Sequence, residues 1–267
     1  MPNWNQARVE LKGSEFASLG RLIKERAGID LKPGKETLVQ ARLARRLRAL
    51  ELGSFAEYLD VLNGEGDGAE LTLLLDAITT NVTSFFRQPR HFTYLREEFL
   101  AEVKACAKGR LRIWSAACST GEEPYSIGIH LREGLSDLDQ WNVRILATDL
   151  STEALATAQA GVYPLARLDD VPAEFKRRYF SSVGRIGGAA GDGGSVCVAP
   201  AVQSLVTFAR LNLMESWPMA GPFDAIFCRN VWRVVEKCRP RSPVGRGDHR
   251  CHGCGRAEGW RSARARQ

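Results

Sequence analysis

The sequence predicts an α/β domain preceded by an all-helical one. Three observations carry this reading. Apolar residues recur at helical spacing across residues 14–80, and that period gives way to a strand at RLRIWS (110–115). From there strand, loop, helix, strand and helix follow in turn, which implies a parallel sheet.

The elements follow in order. Ser14 precedes a helix carrying Phe16, Leu19 and Ile23, and Gly28 ends it. A second helix at about 35–52 sets Val39, Leu43, Leu47 and Leu50 on one stripe, with Gly53 as its stop. Ser54 and Glu57 form a capping box for a third helix through Tyr58 and Leu62. NGEGDG is a loop, and Leu71, Leu74, Leu75 and Ile78 define a fourth helix. A fifth, 89–108, carries Phe92, Leu95, Phe99 and Val103 and stops at Gly109. After the strand at 110–115, Pro124 suits the first turn of a helix running to Gly134. VRILATD (143–149) is a second strand, followed by a helix from Ser151 to a stop at Gly161. A helix at 173–180, the loop GRIGGAAGDGG, strands at 195–199 and 205–210, and the apolar strand FDAIFC (223–228) complete the pattern.

Composition narrows the function. Apolar residues make up 44% of 267, and no run approaches the length of a membrane span. The first residues have neither the apolar core nor the cleavage site of a signal peptide, and seven scattered Cys form no framework. Together these predict a chain of the reducing cytoplasm. The net charge of +6 suggests nucleic acid until it is located. Residues 232–267 hold ten basic and three acidic groups, or +7, and residues 1–231 hold 27 and 28, or −1. A neutral body argues against a nucleic-acid partner.

Two stretches have the makings of a site. ACSTGEEPYS (117–126) joins a strand to a helix, where small residues let a ligand approach the backbone and the helix N-terminus favours negative groups. It lacks GxGxxG, so a dinucleotide is disfavoured. Asp149 ends the next strand, where a carboxylate binds ribose hydroxyls in doubly wound folds and otherwise is an ordinary strand-end cap. TTNVTSFFR (79–87) reads as a helix cap with an aromatic staple, or as hydroxyls, an amide and a cation lining a small-molecule pocket.

These stretches, with ATDLSTEAL, ARLNLMESWPMAGPFDAIFCRNV and the leading helices, resemble the CheR-type chemotaxis receptor methyltransferases, in family order from about residue 14 to 231. The resemblance implies an N-terminal helical, receptor-docking domain over 1–85. It also implies a Rossmann-like S-adenosylmethionine-dependent methyltransferase domain over 86–231, with a small β insertion at about 180–210 that in the family can hold a receptor's tether peptide. It implies methyl transfer from S-adenosylmethionine to receptor glutamates by a monomer. It also carries residue roles. Asn81, Thr83, Glu123, Asp149, Asn212, Leu213, Asn230 and Val231 match cofactor contacts, and Arg87 matches a residue near the sulfonium and substrate carboxylate. Arg42, Arg45, Arg46 and Arg48 lie on a helix whose family equivalent suits acidic receptor helices, although such a run is usually just a solvated face. None of the residues that match a family role is a His or Cys, so His91, His130 and Cys118 are expected to be structural.

After Val231 the pattern breaks. Residues 232–267 contain no Leu, Ile, Met, Phe or Tyr, but nine Arg and five Gly, as expected of a GC-rich gene read out of frame. HRCHGC (249–254) offers metal-ligand residue types with no surrounding fold to hold them, so no metal is expected. The reading is of a C-terminally truncated sheet that leaves FDAIFC at an edge. A cofactor- or receptor-binding remnant without turnover, and a nucleotide-dependent oxidoreductase, are the rivals.

Overall fold

The computed structural model describes residues 9–64, 68–79, 83–106, 109–184, 194–219 and 221–228. The chain forms two compact units, and the first ends at residue 80 and also takes in Leu150–Thr152 and Asn212–Ser216. This boundary falls before the expected one at 85, because Phe85 and Phe86 pack with the aromatic core of the second unit.

The first unit holds α1 (Gly13–Ala27), α2 (Glu36–Ala49), α3 (Phe55–Asn63) and α4 (Gly68–Ile78). The apolar stripes read from the sequence meet in one core of Leu19, Ile23, Leu43, Leu47, Tyr58 and Leu74. Helix α1 starts at Gly13, ahead of Ser14, because the Glu15 carboxylate accepts from the Lys12 N–H at 2.8 Å and caps the first turn. Gly28 ends it in the left-handed conformation, φ 71°. At α3 the Ser54 hydroxyl accepts from the Glu57 N–H at 3.2 Å, as the capping box predicts. A charged network lies in this core around the buried Glu70. Glu70 accepts from Tyr58 Oη at 2.8 Å and from Arg46 Nε at 3.0 Å, and a second Arg46 nitrogen completes a fork.

The second unit opens with one continuous helix, as the sequence predicts, made of α5 (Pro89–Tyr94), a wide π turn (Leu95–Phe99) and α6 (Leu100–Cys106). Then come β1 (Arg110–Ala116), α7 (Glu122–Gly134), β2 (Asn142–Asp149), α8 (Thr152–Ala160), β3 (Val162–Pro164), α9 (Ala173–Tyr179), β4 (Phe180–Gly184), β5 (Ser195–Val198), α10 (Pro200–Gln203), β6 (Val206–Arg210) and β7 (Ala225–Cys228). The main sheet is parallel, in the order β6-β2-β1-β7. This is half of a doubly wound sheet. Among the described residues β7 is the last strand on its side of β1.

The insertion holds β4 and β5 within the expected span but begins earlier, at β3, and ends before β6. Its antiparallel sheet is β3-β5-β4, spanning 162–198, and β6 joins the main sheet instead. The signal for β3 is only three residues, Val162–Pro164, and includes a proline, which sequence patterns count against a strand. The expected loop lies outside the described residues over 185–193, and so does the whole segment 229–267, including HRCHGC.

The core beneath the main sheet includes an unusual histidine. His130 of α7 is buried, stacked on Phe92 with ring centroids 4.9 Å apart, and met edge-on by Phe86 and Phe175. Burial lowers its pKa from 6.5 to about 4; Arg96 adds to the shift and Glu133 opposes it. The fold therefore prefers the neutral ring. Its stability is intact above the unfolded pKa of 6.5 and is lost as the pH falls from there toward 4. The loss is expected to reach about 3 kcal/mol, from roughly 1.4 kcal/mol per pKa unit. His130→Phe should flatten that limb in urea unfolding followed against pH. Parallel curves for parent and variant would place the acid sensitivity elsewhere.

Candidate functional site

In the second unit the strand order reverses at β1: β2 and β6 lie to one side of it and β7 to the other, with Ala116 opposite Cys228. Open α/β sheets bind ligands at the carboxyl ends of their strands at such a reversal.

The loop leaving β1 is built for close approach. Ala117 (φ 58°), Ser119 (φ 51°) and Gly121 (φ 94°) are all left-handed. For residues with a Cβ this costs about 1–3 kcal/mol each, and it persists only where the surroundings enforce it. Here they do. Cys118 N–H donates to the Thr148 carbonyl at 2.9 Å, Ser119 N–H to Asp149 Oδ2 at 2.7 Å, and Gly121 N–H to the Cys118 carbonyl at 3.1 Å. A Cβ on Gly121 would stand 2.8 Å from that of Ala158, so space and conformation both require glycine.

The acids sort into distinct roles. Asp149, 8% exposed at the end of β2, fixes the loop through Ser119. Glu123 accepts from the Ser115 hydroxyl at 2.7 Å. Its neighbour Glu122, which no sequence motif singles out, is buried and accepts from the Thr120 hydroxyl at 2.6 Å. Both glutamates lie in the first turn of α7, where the helix field favours anions. Cys118 is buried, and burial, with Asp149 and Glu123 nearby, pushes its thiol well above the ordinary range, which disfavours a thiolate. His130 is buried as well.

The segment after Asn81 is tied to α7. Phe86 N–H donates to Ser126 Oγ at 3.0 Å, and that hydroxyl donates on to the Glu122 carbonyl at 2.6 Å. Phe85 is buried edge-on against Tyr163 and Phe180. Arg87 is half-buried between two left-handed residues, Phe86 (φ 54°) and Gln88 (φ 62°). Thr83 offers its carbonyl to Arg167 Nη1 at 3.1 Å. Asn81, Asn230 and Val231 lie outside the described residues.

Asn212 and Leu213 belong to the helical unit. There the Asn212 amide donates to the Arg26 carbonyl at 2.7 Å and to Glu215 at 2.9 Å, and it accepts from the Met214 N–H at 3.0 Å. Of the four α2 arginines, only Arg45 and Arg48 are exposed. Arg42 reaches the Ile78 carbonyl at 2.6 Å, and Arg46 is the partner of Glu70. Each lies three residues after a stripe residue, Val39 or Leu43, so its stem lies along the core edge and its head folds inward. The expected four-cation face therefore reduces to two.

The second-unit residues fit an adenosyl group. A carboxylate only accepts, which suits the two hydroxyls of a ribose. Beside it the Ser119 hydroxyl is shut from solvent with no hydrogen-bond partner among the described residues, leaving a polar atom to be satisfied. Among those residues no cluster of His, Cys, Asp and Glu could hold a metal, and no helix is long and apolar enough to cross a membrane.

Comparison with known proteins agrees in both units. Residues 14–79 match the all-alpha domain of CheR methyltransferase and residues 81–237 its SAM binding domain. The second match runs past Val231, where the sequence pattern is expected to break. Chemotaxis protein methyltransferase 2 of Pseudomonas aeruginosa is 44% identical over 224 residues, 84% of this chain and 76% of that protein. The chemotaxis protein methyltransferase of Salmonella typhimurium is 40% identical over 232 residues, 86% and 76% of the two chains. That of Escherichia coli is 38% identical over 226 residues, 84% and 75%.

Proposed function

Because the chain belongs to the CheR methyltransferase family, we propose that it transfers a methyl group from S-adenosylmethionine to glutamate side chains of chemotaxis receptors. The observation that carries the reading is Asp149 at the strand reversal, holding a left-handed loop of small residues. In this reading Asp149 binds the ribose, while Thr83, Glu123 and Arg87, with Asn81, Asn212, Leu213, Asn230 and Val231, complete the cofactor contacts. The enzyme acts as a cytoplasmic monomer on the acidic cytoplasmic helices of its receptors.

The chemistry asks little of the side chains. S-adenosylmethionine supplies a methyl group already activated on a sulfonium. A glutamate with a pKa of about 4.3 is ionised at neutral pH and needs no base to attack it. What remains is orientation, which can supply roughly 7–11 kcal/mol of a barrier. Arg87 suits that role, since it directly follows Phe86, whose N–H is anchored on Ser126 Oγ. Arg87→Ala is expected to lower turnover more than cofactor affinity. Intact turnover with lost cofactor binding would make it a cofactor residue instead.

The test of the whole reading is transfer of labelled methyl from S-adenosylmethionine to receptor-rich membranes, followed by mild alkali. A glutamyl methyl ester releases its label as methanol; label stable to base would refute a carboxylate acceptor. Docking is tested separately. Neutralising Arg45 and Arg48 should slow receptor methylation at low salt and flatten its salt dependence, with cofactor affinity unchanged. Equal rates in parent and variant would leave those cations merely solvated.

A further inference from the structure

Arg167 is absent from every motif that suggests a site. It lies in the short turn Leu165–Leu168 that follows β3 of the insertion. Its Nη1 donates to the Thr83 carbonyl at 3.1 Å and stands 3.6 Å from Oε1 of Glu122. Glu122 is 1% exposed, and that Oε1 has no hydrogen-bond partner among the described residues, while Oε2 takes the Thr120 hydroxyl. A buried carboxylate oxygen left without a donor is costly, and a nearby cation offsets part of the cost. The same guanidinium therefore meets three things at once: the insertion that carries it, the segment leading to Arg87, and the first turn of α7.

We propose that Arg167 is a positioning residue, which pins the Thr83–Arg87 segment to the buried carboxylate of Glu122 and so holds Arg87 at the substrate carboxylate. This rests on the methyltransferase reading for its consequence in turnover, but not for the latch itself. The second anchor of the segment, Phe86 N–H to Ser126 Oγ, converges on the same turn of α7 through the Glu122 carbonyl. Losing Arg167 removes the segment's polar anchor to the insertion and leaves only the packing of Phe85 there, beside the Phe86 bond to α7.

The test uses the full chain with Arg167→Met, Arg167→Lys and Arg167→Met/Glu122→Gln. Hydrogen exchange of peptides covering 83–88 reads the latch without any activity. Exchange there should speed up at least tenfold in Arg167→Met, slow again in Arg167→Lys, and stay fast in the double variant, which removes the stranded charge but not the lost tether. Turnover should fall about tenfold or more in Arg167→Met, with binding of S-adenosylhomocysteine within about threefold of the parent, and Lys should recover most of it. Unchanged exchange at 83–88 in Arg167→Met would overturn the proposal. So would a Lys variant as impaired as Met, since a donor of similar reach should restore the tether, and so would full recovery in the double variant, which makes Arg167 a stabiliser of Glu122 alone. If exchange responds as expected while even the parent transfers no methyl, the latch stands and the methyltransferase reading fails.

Discussion

Asp149→Ala is expected to weaken binding of S-adenosylhomocysteine by about 1.5–3 kcal/mol, roughly 10- to 150-fold. Two losses combine. The ribose hydroxyls lose a charged acceptor, and the Ser119 N–H, now 2.7 Å from Oδ2, loses the partner that keeps the loop left-handed. Asp149→Asn separates them. Its amide oxygen can still accept from Ser119, so the loop should keep its shape while the charge is gone. Calorimetry should therefore rank parent, Asn and Ala in falling affinity. Equal affinity in parent and Ala would mean that the ribose is bound elsewhere and that Asp149 is only a cap.

The helical unit should depend as strongly on Glu70. This carboxylate is 3% exposed and has both Tyr58 and Arg46 as donors. Removing one member of a buried pair strands the other, at about 3–5 kcal/mol. Glu70→Ala should accordingly lower the unfolding midpoint of this unit by well over 10 °C, taking roughly 4–8 °C per kcal/mol for so small a unit. Glu70→Gln keeps an acceptor for Tyr58 and should lie between. Arg46→Met and Glu70→Leu together with Tyr58→Phe should recover most of the loss, because apolar residues of similar volume can replace a buried polar cluster at little cost once no hydroxyl is stranded. An Ala variant that melts with the parent would show that the fork contributes nothing.

The helices are legible in the sequence because their cores are simple stripes, and α1 and α3 also end at glycine. The start of α1 is not, because Ser14 is a better cap by type than Lys12, yet Glu15 reaches back to do the capping. The π turn at Leu95–Phe99 leaves no trace in the period, since one extra residue in a turn barely shifts an apolar stripe. Strand β6 groups with the insertion in the sequence for want of any local sign of its partner: it pairs with β2, about sixty residues earlier. The same limit governs the site. Asp149 is readable because a strand end fixes its place. Glu122 and Arg167 are not, because a second acid beside Glu123 and a lone arginine between Ala166 and Leu168 have no pattern of their own. Arg42 and Arg46 look like surface charge for the same reason, and only the carbonyls and carboxylate they meet distinguish them from Arg45 and Arg48.

The place of β1 in the sheet also governs the order in which the chain can be assembled. Its partner on one side is β2, which follows after a single helix, but on the other it is β7, and the bond from Arg112 N–H to Asp224 spans 112 residues. At a synthesis rate of about 5–20 residues per second, that flank of β1 waits unpaired for roughly 5–20 seconds on the ribosome. It is an apolar strand with one open edge throughout that wait. Pairing so distant in sequence is slow to form even in the complete chain. Docking of Ala225–Cys228 is therefore the late event of folding, and the interval before it is when a nascent chain most needs a chaperone to cover Leu111–Ala116.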